Sequence, residues 1–566
     1  MSGLSKWEAL EHLDMALERQ LVQEAPGDTM LRFSHSEVQY VLYADMGILR
    51  RRLLHRQAGE VMERRAGAET ERIAEDLAHH FREAGELEKA AGYSFQAARR
   101  AQAAYANESA LLWCNRTLEM LNQLGSDQAP QFQSLRVAAL ASLGKVLAML
   151  GQYDESLAHY ASARALLEAE TLSVDQARQL ADLCRQTAQV YERQSEYSLA
   201  FEWLEKGLRY LDQDKPTIEK AWLYLLEAGV HDSQGKRDQA IDWCQRSLDI
   251  ASQVKTREGQ QVVGRVLYLL GWICTRRGDS RYAVQLCRES VSVHQQIDDL
   301  AGQANAYNLL GVAYDEQGDW EQASEAYHKG LTIQQEIGDI DGQSTSANNL
   351  ANIYLDRGEW NQAASLYEQS RAMWEHIGVP LGEAITLSNL AQVHLYQKNW
   401  DDAHTCLSRS EALFAQIGSM EYLPELERRW GELYLKIGKL DEALEHTRRS
   451  IELAIEQSTP LEEGMSRRML GQVHLARNEW ELAGAALRHS LQILDGLNEY
   501  EAAKTKLSLA SLKMETGPTT DEARAYLAQA INTFEKLGAK ADLAAVAIDN
   551  ALLRRQVEQR TAAENL

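Results

Sequence analysis

A small residue returns every forty positions along this chain, at Gly271, Gly311, Ala351, Ala391, Gly431 and Gly471. Seven residues after each comes a second regular position, filled by Gly278, Gly318, Gly358, Lys398, Gly438 and Asn478. Five further on lies an invariant alanine: Ala283, Ala323, Ala363, Ala403, Ala443 and Ala483. Ala510 continues the first series one residue short, and Gly144, Ala188 and Ala228 extend it upstream with looser spacing. A sequence that repeats in register at this period is built from stacked supersecondary units, and that excludes a single compact core.

The residue types say which unit. Seven prolines in 566 residues leave room for helix throughout. Glycine and asparagine tolerate the left-handed conformation that ends a helix, so each turn position closes one helix before the next begins. An acid just beyond the turn, as at Asp319 and Glu359, suits a helix N-terminus. Alanine and glycine at matched positions let two helices approach closely, while Leu310, Tyr314 and Tyr327 fill the space beside them. A single hairpin of this kind cannot bury both faces, so hairpins must stack into a curved rod with a concave inner surface, each touching only its neighbours.

The L-G, Y, G, A and Y pattern resembles tetratricopeptide repeats, in the long-helix form found in kinesin light chains and in repeat-bearing signalling ATPases. The resemblance covers residues 70–540 and implies a right-handed all-α superhelix of about eleven repeats. The expected division is a partial winged-helix segment and connecting helix over 1–68, atypical first repeats over 69–125, regular repeats over 131–539, and a capping helix and tail over 540–566. The amphipathic stretch Lys540–Gln559 reads as the helix that covers the open end.

The formal charge of −24 argues against general nucleic-acid binding, which needs basic patches. One basic cluster, Arg50, Arg51, Arg52, His55 and Arg56, reads as a solvated helix face. No apolar run approaches the length that crosses a bilayer, and the start MSGLSKWEALEHL is not a signal peptide, so no membrane partner is expected. Cys114, Cys184, Cys244, Cys274, Cys287 and Cys406 are scattered without a CxxC pair; they read as buried reduced thiols in a cytoplasmic protein.

The first seventy residues break the pattern. A helix from Trp7 to Gln20 leads into LVQE, a turn at Pro26-Gly27-Asp28, and MLRF, which together read as a β-hairpin; helices follow over Ser36–Tyr43 and Gly47–Arg65. The string LRFSHSEVQYVLY…RRRLLHRQAGEVMERR…IAEDLAHHFREAGELEKAAGYSFQAARRA resembles the junction between winged helix and repeats in signal-transduction ATPases with numerous domains (STAND ATPases), of the maltose-regulator type. That resemblance implies that His35, in the FSH motif, meets an ADP phosphate when a nucleotide-binding domain is present; the alternative is a histidine that caps a strand-to-helix turn. The chain departs from the family in lacking the first winged-helix helices and any GxxxxGK[ST] motif. The nearest string, Gly229 to Arg237, has five residues between its glycines and lies in a repeat turn. The expectation is therefore a fragment of a larger ATPase or a late-starting reading frame, with residues 1–45 packed on the first repeats or poorly ordered.

No catalytic or metal constellation is evident, so no enzyme activity, cofactor or metal is expected. His394 and His474 take the slot of Tyr314, Tyr354 and Tyr434 and read as packing residues. Trp320, Trp360, Trp400 and Trp480 recur two residues after the turn and read as packing between adjacent hairpins. In tetratricopeptide solenoids the first helix of each hairpin lines the groove. Its inward positions here are Arg185, Tyr268, Asn308, Asn348, Ser388, Arg428 and Arg468, with Gln189, Trp272, Asn352, Gln392, Glu432 and Gln472 one turn on. The row is polar but poor in acids. Its amides match the edge of an extended peptide, Arg428 and Arg468 match a carboxylate, and Tyr268 with Trp272 matches an apolar anchor; the alternative is that the asparagines bond neighbouring helices. The expected partner is a protein, a peptide or a small-molecule inducer, with the nucleotide-binding domain of a parent protein behind it. A free-standing adaptor is the competing reading, and an unrecognised enzyme a weaker one.

Overall fold

The computed structural model describes residues 6–24, 31–104, 106–124, 130–169, 171–212, 215–516 and 521–546. The turn expected at Pro26-Gly27-Asp28, and the capping helix beyond residue 546, lie outside the described residues. Two compact units emerge: Met1–Val146 with Ala161–Leu166, and Leu147–Tyr160 with Leu167–Leu566.

The first unit begins with α1 (Lys6–Glu18) and a short antiparallel hairpin, β1 (Val22–Glu24) and β2 (Leu31–Phe33), in which Val22 stands opposite Phe33. Next come α2 (Ser36–Asp45), α3 (Ile48–Ala66), a 3₁₀ stretch, α4 (Ala74–Ala84), α5 (Leu87–Ala103) and α6 (Asn107–Gln123). Leu77, Phe81, Ala90, Ala91, Met120 and Leu121 form the core of α4 to α6. At Gly59 on α3 a Cβ would sit 3.1 Å from the Phe81 ring, so this glycine lets α3 lie close on α4. The side chains of α1, α2 and the start of α3 pack far less: Trp7, Tyr40 and Leu49 are all more than 70% exposed. The end of α2 is tied to α3, where the Tyr43 hydroxyl meets His55 Nε2 at 2.9 Å.

Contrary to expectation, one helix among the described residues is long and apolar enough to cross a membrane, over Gln131–Met149 with mean hydropathy 1.2. It interrupts its apolar run with Arg136 and Lys145, and Val137, Ala139, Leu140 and Leu143 are buried. Those are marks of a core helix.

The second unit repeats one hairpin. Leu300–Glu316 pairs with Trp320–Ile337, Ile340–Asp356 with Trp360–Ile377, and Pro380–Tyr396 with Trp400–Ile417. The turn residues adopt positive φ as their types demand: +74° at Gly318, +77° at Gly358, +62° at Lys398 and +61° at Asn478. The alanine series Ala283 to Ala483 is wholly buried. At Gly311 a Cβ would stand 2.5 Å from the Tyr327 ring, which is why a small residue opens each contact.

A second device recurs at the same spacing. The hydroxyls of Ser290, Ser370, Ser410, Ser450 and Ser490 donate to carbonyls of Gly264, Ser344, Ala384, Pro424 and Gly464 in the preceding helix, at 2.6–2.8 Å. Each is buried and binds its hairpin's two helices at one point. Between hairpins, Trp360 stacks on Tyr396 at 5.7 Å, as expected of the tryptophan row, but Trp480 is exposed. Trp320 is buried elsewhere, edge-on to Tyr500 at 5.3 Å.

That contact exposes a difference from the expected rod, in which each repeat meets only its neighbours. Within the second unit, repeats far apart in sequence touch. Cys287, Tyr314, Trp320 and Tyr327 share one core with Tyr500, Ala503, Phe534 and Leu537. Arg237 donates to the Ser458 carbonyl at 2.8 Å across 221 residues. A Cβ on Gly318 would meet Leu537 at 2.9 Å, and one on Gly358 would meet Ala541 at 2.5 Å. The turns of earlier hairpins therefore seat on the loops of later ones along a seam, because glycine leaves no side chain in the way.

Candidate functional site

The first helices bring part of the expected groove row together, from Asn308 through Asn348 to Ser388, and hydrogen bonds between repeats occupy it. Asn349 donates to Asn308 at 3.2 Å, Asn348 to Asn349 at 3.3 Å, and Asn389 to Asn348 at 3.0 Å. Arg429 continues the ladder, donating to Asn389 at 2.6 Å and to the Ser388 carbonyl, and it pairs with Glu425. Asn352 accepts from the Tyr367 hydroxyl. The amides that match a peptide edge are thus largely engaged with one another.

The arginines are engaged too. Arg428 is buried and meets Glu462 at 2.5 Å; Arg468 is buried, donates to the Glu501 carbonyl at 3.0 Å and pairs with its carboxylate. Burial opposes ionisation of Glu501, yet Arg468 and Lys504 hold its carboxyl down at about 2. Arg185 pairs with Asp182 at 2.7 Å and lies 5.9 Å from the Trp222 ring. Gln392 donates to the Tyr396 hydroxyl and Gln472 to Ser508, each at 3.4 Å. Gln189 and Glu432 are half-buried. Tyr268 and Trp272 lie a turn apart against the shared core, with Arg276 over the Trp272 ring at 5.9 Å.

Sequence reasoning read this strip as poor in acids. The acids lie one helical turn further on. Burial pushes the Asp315 carboxyl up to about 7 and that of Glu316 up to about 8, and it drives Asp356 well above the carboxylate range, with Asp315 adding to the effect. The Trp320 side chain bonds to Asp315, and Ser280 donates to Glu316 at 3.4 Å. These carboxyls are recessed and hold too little positive charge around them to ionise easily. The available signal was acids at equivalent places, Glu316 and Asp356, in successive repeats.

Other expectations fall elsewhere. His35 precedes α2 with extended backbone (φ −134°, ψ 137°), and its side chain makes no capping bond. The Gly229–Arg237 string spans the turn after Ile218–Ser233, with Gly235 at φ +74°, and has no strand before it. His474 Nδ1 meets Glu479 at 2.5 Å, while His394 Nδ1 is buried without a hydrogen bond. All six cysteines are buried and none is in a disulfide. Among the described residues no cluster of metal-ligating side chains occurs.

The tetratricopeptide-repeat family model matches residues 276–336 and 342–416. These hairpins are tetratricopeptide repeats. No curated protein matches the chain. Among solved structures it is similar to a Rap protein complexed with competence and sporulation factor (13% identity, 64% of this chain and 98% of the other, TM-score 0.49). It is also similar to the apo quorum sensor NprR from B. thuringiensis (14%, 63% and 99%, 0.43) and to Cut9–Hcn1 of the APC/C (16%, 96% and 99%, 0.42). The tetratricopeptide repeat itself, not these distant likenesses, establishes the fold.

Proposed function

We propose that the chain is a non-enzymatic binding module whose first helices take an extended protein or peptide segment bearing lysine or arginine. The observation that carries this reading is the recessed set of carboxyls at Asp315, Glu316 and Asp356, raised by burial, on the hairpins that follow the aromatic pair Tyr268 and Trp272, which packs against the shared core. A cationic side chain entering there gains an ion pair in a desolvated site, and the aromatics take its apolar neighbours. Arg428, Arg468 and the asparagine ladder then act as the rigid floor. Six buried thiols accord with a reducing cytoplasm.

The test is fluorescence anisotropy on arrays of basic and acidic decapeptides, with wild type and Asp315→Asn/Asp356→Asn. Basic peptides should bind and lose about tenfold in affinity in the variant. Equal binding of acidic peptides, or undiminished binding by the variant with helicity intact, refutes the reading.

The finer proposal is that the module is the sensor arm of a STAND ATPase, with α1 to α3 facing the nucleotide-binding domain and His35 reaching its ADP. Its supports are the FSH motif and the exposed Trp7, Tyr40, Ile48 and Leu49, which have the character of a surface that meets another domain. A nucleotide-binding domain encoded in frame upstream of Met1 supports it, and an in-frame stop there overturns it.

A further inference from the structure

The seam of the second unit closes tightly wherever a turn glycine meets a later loop. Gly235 lies against Ser458, Gly278 against Leu497, Gly318 against Leu537 and Gly358 against Ala541. Between the first of these contacts and Gly151, which meets Ile417 and Pro380, the seam opens into a cavity of about 810 Å³. Its walls come from the turns of three early hairpins on one side and from the loops after Trp360–Ile377 and Trp400–Ile417 on the other.

One wall is apolar, built from Trp374, Pro380, Leu381, Ile385 and Ile417. Acceptors come from both sides, the carboxyl of Glu192 and the amide of Gln234 from the early turns and the carboxyls of Asp341 and Glu421 from the later hairpins, and Arg193, Lys236 and Arg276 also line the cavity. The Gln234 Oε1 atom is buried with no hydrogen-bond partner. Glu192 takes one hydroxyl, from Ser233 at 2.8 Å. Arg276 is the nearest cation to Glu421, at 3.9 Å, and it also faces Asp232 at 3.7 Å. Burial raises the carboxyl of Glu192, and that of Asp341 to about 6, even with Arg193 near both, so the cations present do not offset their desolvation, whereas the Glu421 side chain is 52% exposed. A buried orphan acceptor beside under-compensated carboxylates calls for a ligand that brings donors and positive charge, and the apolar wall calls for hydrocarbon.

We propose that this seam cavity is a binding site for an ammonium or guanidinium group on an apolar stem. The head donates to Gln234 Oε1 and the carboxylates of Glu192, Asp341 and Glu421, and the stem lies on Trp374, Pro380 and Ile385. None of these residues belongs to the groove strip, so the site stands independently of the groove reading. Because its two walls come from hairpins far apart in sequence, an occupant bridges them and tightens the seam.

Saturation-transfer NMR on the full chain tests this, with octylamine and octylguanidine as probes and octanoate and octanol as controls. The two cations should bind at millimolar concentration and octanoate should not. Glu192→Gln/Asp341→Asn/Glu421→Gln should weaken octylamine at least about tenfold. In the Asp315→Asn/Asp356→Asn background, which silences the groove carboxyls, octylamine should still bind, and adding Leu381→Trp, which fills the apolar wall, should abolish the remaining signal. A lysine-centred tetrapeptide of leucines separates the two sources of such a head: tighter binding than octylamine marks a polypeptide ligand, weaker binding a small amine. Absence of any cation signal, octanoate binding equal to octylamine, or undiminished octylamine binding in the folded triple variant each overturns the proposal.

Discussion

The seam makes a claim that a thermodynamic cycle can test. Trp320 and Tyr500 belong to hairpins far apart in sequence, yet their rings meet edge-on at 5.3 Å, and Tyr500 meets Phe534 at 6.0 Å. Trp320 is 3% exposed and Tyr500 8%, so each truncation to alanine opens a cavity and should cost about 3–5 kcal/mol. An edge-to-face pair is worth about 0.5–1.5 kcal/mol beyond its buried area. Trp320→Ala and Tyr500→Ala should therefore couple by about that amount, the double variant losing less than the two singles together. Loss of the Tyr500 bond to Asp542 at 2.8 Å enters one single variant and the double alike and cancels in the cycle. The assay is urea unfolding by far-UV circular dichroism, with hydrogen exchange following amides of Leu300–Glu316 and Glu499–Thr516 separately. Truncating Trp320 should speed exchange in the later helix as well as in its own hairpin. Additivity within about 0.3 kcal/mol, with exchange confined to the mutated hairpin, would refute the seam.

Three further outcomes follow from the packing. His55 Nδ1 meets His80 Nδ1 at 2.9 Å, a contact that cannot hold two N–H groups; Tyr43, Arg51, His79, Asp76 and Glu83 face the pair. Burial lowers both imidazoles from their ordinary 6.5, so the unfolded chain binds more protons, and the first unit should lose stability as pH falls below 6.5 and level off below the folded values; His55→Gln/His80→Gln should flatten that stretch of a melting-temperature profile. Arg429→Met leaves Glu425 and Asn389 without their buried partner and should cost about 3–5 kcal/mol, and Arg429→Lys, lacking the fork, should recover only part of it in a urea titration. Gly302→Ala drives a methyl into the buried His294 ring and should cost about 1–3 kcal/mol in thermal melts, whereas alanine at Gly229, with nothing within 4 Å, should be neutral or stabilising.

Much of the architecture was readable because the chain states it many times over. A glycine that needs positive φ, an alanine that needs zero exposure and a turn between them give the same answer in every repeat, and Lys398 and Asn478 keep the conformation even where the residue type changes. The serine series from Ser290 to Ser490 was equally legible at the same spacing, but a hydroxyl on a helix reads as surface until its partner carbonyl is seen. The seam was not legible. Its contacts join turns and loops far apart in sequence, and the pairing of Gly318 with Leu537 follows from a small rotation summed over several hairpins, which no local pattern records. The same gap explains the candidate site. Spacing identified which face of each first helix the asparagines share, but only the fold shows that they bond each other and that burial raises Asp315 and Asp356.

The turn glycines at the seam carry an implication for how this molecule can vary. In an open array, a hairpin can be duplicated or deleted and the remainder simply shifts along. Here Gly278, Gly318 and Gly358 are matched to Leu497, Leu537 and Ala541, so excising one forty-residue unit between them would present each glycine with a different loop, out of register by a full hairpin. The length of the array is thereby fixed from within, as the number of teeth fixes which gears can mesh.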